Sequence, residues 1–94
     1  MTQAEIEAVL LRHAWTDEEC ASGRAVAFGV APKDNGTFLV FCVPDETHTE
    51  AQFRFAIGRA SNTLRHAGYV GEAYPMGSVC GGVMIPGWLV MRRI

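Results

Sequence analysis

Ninety-four residues, 49% hydrophobic and 19% charged, fit one domain with one core and exclude a disordered chain or a two-domain protein. Eight basic and ten acidic residues leave a formal net charge of −2, without the cationic excess that grips nucleic acid non-specifically or an acidic membrane. The high apolar share leaves little polar residue to cover a full surface, so a partner, or a second copy of the chain, is expected to hide some of it.

Helix starts are marked by capping boxes, in which a Ser or Thr oxygen accepts from the backbone three residues on and a Glu there reaches back. Thr2 with Glu5 predicts a helix from about Gln3 to His13, with Ile6, Val9 and Leu10 on one face. Thr16 with Glu19 predicts a second helix of a turn or two, which Gly23 can end in a left-handed conformation. Two strands follow, Arg24 to Ala31 and Thr37 to Val43, rich in Val and Phe and alternating with period two. Their link contains Asn35-Gly36, a step suited to the positive φ of a tight turn. Phe38 to Val43 is apolar on both faces, as a central strand packed on both sides would be. Ala25, Ala27 and Gly29 leave room for a close approach on one face of the first strand.

Thr47 with Glu50 predicts the third and longest helix, from about His48 to Ala67, stopped by Gly68. Phe53, Ala56, Ile57, Ala60, Leu64 and Ala67 fall within an arc of about 100°, the core face. Tyr69 to Tyr74 reads as a short strand, and Pro75 to Gly82 as a loop. Val83 to Ile85 and Trp88 to Ile94 read as a hairpin closed by Pro86-Gly87. The expected architecture is a small α+β two-layer sandwich: a mostly antiparallel four-stranded sheet with one long and one or two short helices, in the order α-α-β-β-α-β-β.

The outer side of the long helix is the main candidate site. Phe55, Arg59, Asn62 and His66 recur at spacings of four, three and four, flanked by Arg54 and Arg65. A ring, a guanidinium fork and an amide on one stripe suit a protein groove or a flat anionic ligand, and equally describe a solvated face with one stray apolar residue. The last stretch, with Trp88, Val90 and Arg92, has two open placements. As an edge strand it invites pairing with a second chain; as an internal strand its tryptophan is core.

Cys80 lies in the glycine-rich run Gly77 to Gly82, where backbone N–H groups can line an oxyanion pocket. A small apolar filler before a strand has the same residues. The run feeds a strand and lacks Gly-Lys-Ser/Thr, so it does not match a phosphate loop. Neither the three cysteines (Cys20, Cys42 and Cys80) nor the three histidines (His13, His48 and His66) stand at ligand spacing, so no metal and no cofactor is expected. The odd, unpaired cysteine set fits a reducing cytoplasm, and no secretory leader or membrane span is read. Asp17, Glu18 and Glu19 read as first-turn charges that complement a helix dipole.

Three functions follow in order. The first is a non-enzymatic interaction module, self-associating and binding a protein partner, of a type compatible with an accessory protein of a phage or mobile element. The second is a sensor for a small anionic ligand such as a nucleotide, held by Arg54, Arg59, Arg65 and the 77–82 loop. The third is a small thiol enzyme using Cys80.

Overall fold

Every helix begins at a threonine. In the computed structural model, which describes residues 1–75, 78–79 and 83–94, Thr2 and Thr16 close the expected capping boxes with Glu5 and Glu19. They open α1 (Gln3–His13) and α2 (Asp17–Ala21). The long helix α3 (Glu50–His66) is capped by Thr49 with Gln52, not by Thr47 with Glu50. Both threonines fit the motif locally. Thr47 is drawn off because its N–H and hydroxyl donate to Asp45, while His48 is pinned by a carbonyl from elsewhere in the chain.

Four strands form one antiparallel sheet: β1 (Phe28–Pro32), β2 (Phe38–Cys42), β3 (Tyr69–Tyr74) and β6 (Gly87–Arg93), in the order β1-β2-β6-β3. A separate two-stranded ladder, β4 (Ser78–Val79) with β5 (Val83–Met84), lies in sequence between β3 and β6. The expected α+β architecture and element order are therefore present. β1 begins later than read, at Phe28. The N–H groups of Arg24 and Ala25 turn back to the Glu19 carbonyl, and the Val26 carbonyl is taken by the Trp15 indole, so residues 24–27 make no regular ladder. The β1–β2 link places both Asn35 (φ 59°) and Gly36 (φ 74°) in the left-handed region, as the Asn-Gly step anticipates.

The C-terminal hairpin closed at Pro86-Gly87 is not formed: β5 pairs with β4, whereas β6 pairs with β2 on one side and β3 on the other. The edge-strand placement of Trp88, Val90 and Arg92 is thereby corrected. Trp88 and Val90 are core residues of a central strand, and the sheet edges are β1 and β3. Only Arg92, near the strand end, is exposed. The indole of Trp88 fills the space over Gly71, where a Cβ would stand 2.3 Å from the Leu89 carbonyl and 2.8 Å from the indole. The register between β3 and β6 shifts at that same point, between Val70 and Gly71.

All three helices belong to one layer. Ile6 and Leu10 of α1 meet Ala60 and Leu64 of α3 over Val30, Val40, Trp88 and Val90. Phe53, Ala56 and Ile57 close a second cluster with Val26, Cys42 and Ile85. On the opposite face of the sheet, Phe41 spreads its ring over Gly29, beside half-buried Ala31 and Leu89. Among the described residues no helix is long and apolar enough to cross a membrane.

Candidate functional site

The inner arc of α3 is buried as its periodicity demands, with Ser61 added to it, and its outer side carries Phe55 at 60% exposure. Phe55 does not stand alone there. Trp15, in the joint between α1 and α2, sits with its ring centroid 6.3 Å from that of Phe55, and is itself stacked on Phe28 at 6.0 Å. The Arg59 guanidinium packs against both exposed rings, 5.0 Å from the Trp15 centroid and 5.3 Å from that of Phe55.

Three elements fix that guanidinium. Arg59 Nη1 donates to the Ala14 carbonyl at the end of α1 (3.1 Å) and to Glu19 Oε1 (3.0 Å); Nη2 donates to Glu19 Oε2 (2.8 Å). Glu19 also accepts from the Thr16 N–H, completing the α2 cap. That bond, followed by the bidentate arginine, holds its carboxyl below the ordinary carboxylate range. A residue legible only as a first-turn charge thus joins α2 to α3. Around this cluster lies an open cleft of about 480 Å³, lined by Trp15, Glu19, Arg24, Gln52, Phe55 and Arg59. Arg24 forms no ion pair with any described residue, so it is the cation that the cleft offers to a visitor.

The rest of the predicted stripe looks elsewhere. Asn62 and His66 line a second, polar depression of about 440 Å³ together with His13 from the end of α1. Eleven residues of helix separate Phe55 from His66, about 16 Å along the axis, so the stripe serves two depressions and not one. Arg54 pairs with exposed Glu50 at 2.9 Å, and the Arg65 guanidinium lies over the face of Trp88 at 5.8 Å. Each of the three arginines assigned to an anionic ligand therefore has a contact within the chain.

Cys80 lies outside the described residues, as do Gly77, Gly81 and Gly82 of its loop. Cys42 is buried with its Sγ 3.5 Å from the Phe53 carbonyl, and desolvation pushes its thiol up to about 12, so it stays protonated. Among the described residues no three His, Cys, Asp or Glu side chains converge as a metal set.

The sequence analysis did not single out Trp15 or Arg24. The signal for Trp15 was available: it precedes the Thr16 cap and Cys20 stands at the fourth helical position, the spacing of a hydrophobic staple. No known family model, curated protein sequence or solved structure matches this chain.

Proposed function

We propose that this protein is a non-enzymatic interaction module that recognises a protein partner through the Trp15–Phe55–Arg59 cleft. The observation that carries this reading is the exposure of Phe55 beside an arginine already immobilised by Glu19 and the Ala14 carbonyl. A partner that covers the cleft meets rigid aromatic and guanidinium surface, and little side-chain entropy is lost in holding it. Its proposed setting is the cytoplasm, where Cys20 and Cys42 stay free thiols.

Self-association as a homodimer is the second half of the proposal. The helix-free face of the sheet, with Phe41, Leu89 and Ala31 half-buried, supplies an apolar surface for it, now that β6 is internal. Light scattering across a concentration series is expected to show a mass that rises towards twice the monomer. A constant monomer mass removes the dimer. For the cleft, Phe55→Asp and Arg24→Glu are expected to abolish capture of the co-purifying partner with an unchanged far-ultraviolet spectrum. Full-strength capture by both variants removes the cleft.

A small anionic ligand is the alternative occupant, favoured by the unpaired Arg24 beside the Trp15 ring. It predicts a rise in melting temperature with a nucleotide or other aromatic anion, lost in Arg24→Glu.

A further inference from the structure

On the other side of Trp15 the free edge of the sheet runs along a second depression. Ala27 accepts from the Val43 N–H and Lys33 donates to the Thr37 carbonyl, so odd-numbered residues of this hairpin face β2. Phe28 and Val30 therefore direct their backbone groups away from the sheet. Two carbonyls on that edge are already taken: Trp15 Nε1 donates to Val26 (3.0 Å) and Gln3 Nε2 donates to Val30 (2.8 Å). Between these stops, the N–H and C=O of Phe28 and the N–H of Val30 have no partner among the described residues. The open window spans four residues of extended chain, about 13 Å.

Alongside the window lies an apolar groove of about 470 Å³, lined by Leu10, Trp15, Val26 and Phe28 and rimmed by Leu11, which is 87% exposed. Glu7, bonded to Gln3, puts a carboxylate at the Val30 end. An alternating row of unmet backbone donor and acceptor, set beside apolar side-chain space, is the complement of an extended polypeptide.

We propose that this groove binds a short extended segment of another protein, which adds to the β1 edge as a strand of about three residues, sets an apolar side chain between α1 and the sheet edge, and carries a basic residue towards Glu7. The stops at either end keep longer strands out, which protects the edge from indiscriminate pairing. A second copy of this chain does not fit through the same edge. A two-fold through Phe28 sets Val26 of one copy opposite Val30 of the other, and Trp15 then meets Gln3 head-on.

The test is selection of peptides from a phage-displayed random dodecapeptide library on the full-length chain, with the enriched sequence then synthesised. The expected peptide binds wild type and Phe55→Asp alike, and loses at least roughly tenfold in affinity to Leu11→Glu, a substitution at an exposed rim. It slows amide exchange at Phe28 and Val30, and N-methylation at alternate peptide positions abolishes binding while methylation at the positions between does not. Failure to enrich any sequence over bare support overturns the proposal. So does an enriched peptide that leaves exchange at Phe28 and Val30 unchanged or tolerates N-methylation in both phases. A peptide lost in Phe55→Asp but kept in Leu11→Glu also overturns it, and supports the cleft instead.

Discussion

Phe53 and Phe55 stand two residues apart on one helix, and the first is 1% exposed while the second is 60% exposed. Two residues turn a helix through about 200°, so one ring enters the core against Val26 and Cys42 and the other faces outward beside Trp15. The inner face of α3 is filled by shape alone. Its outer face is organised by a charge: Arg59 lies against two rings and is held by Glu19. Stability and recognition are thus separated onto two sides of one element, which leaves the outer side free to vary without loss of the fold.

That separation can be broken from either side. The largest effect is expected for Phe53→Ala, which opens a cavity and costs about 3–5 kcal/mol in denaturant unfolding. Trp15→Ala is expected to cost about 2 kcal/mol, because the ring is only half-buried but bridges Phe28, Phe55 and the Val26 carbonyl. It also removes partner capture, making Trp15 the residue where the two faces meet. A Trp15→Ala variant of wild-type stability would show the joint between α1 and α2 to be independent of the indole.

Gly71→Ala tests the core from the sheet side. The new methyl collides with the Leu89 carbonyl and Trp88, and a cost of about 1–3 kcal/mol is expected from the same measurement. By contrast, Phe55→Asp is expected to change stability by no more than about 0.5 kcal/mol while abolishing capture. A large destabilisation there would mean that the outer ring belongs to the core after all.

The smallest effect is a pH dependence at the start of α3, where the two faces converge. His48 has both ring nitrogens against acceptors, Asp45 Oδ2 at 2.7 Å and the Gly23 carbonyl at 3.1 Å, a geometry that calls for the doubly protonated ring. The Asp45 bond, then the Gly23 bond, raises the His48 pKa above 6.5; Thr47, through its hydroxyl and its N–H, and then His48 lower Asp45 from 3.8 to about 2. A raised histidine stabilises fully below 6.5, and its contribution is lost as pH climbs through the folded value. A lowered aspartate stabilises above 3.8, and its contribution is lost as pH falls towards about 2. The difference in melting temperature between wild type and His48→Ala is therefore expected to be greatest between those limits and to shrink at alkaline pH. A difference that stays constant to pH 9 would leave the imidazolium without a role.

Much of this molecule is written locally. The capping boxes of α1 and α2, the Asn35-Gly36 turn, the stop at Gly68 and the buried arc of α3 each depend on residues within about four positions of one another, so sequence spacing alone determines them. The third cap was ambiguous because Thr47 and Thr49 both fit, and the choice was made by the tertiary bond from His48 to Gly23. The place of β6 was also beyond local reach. Its residues suit an edge or a centre equally, and only pairing with β2 and β3 made Trp88 core. The same holds for the site. Phe55 and Arg59 were legible as a stripe, but Glu19, Trp15 and the Ala14 carbonyl reach them across about forty residues of chain, and contacts at that separation leave no periodic trace in sequence. The spacing of residues decided which sides of each element are apolar; the packing of α1, α2 and α3 on the sheet decided which outward residues stand together.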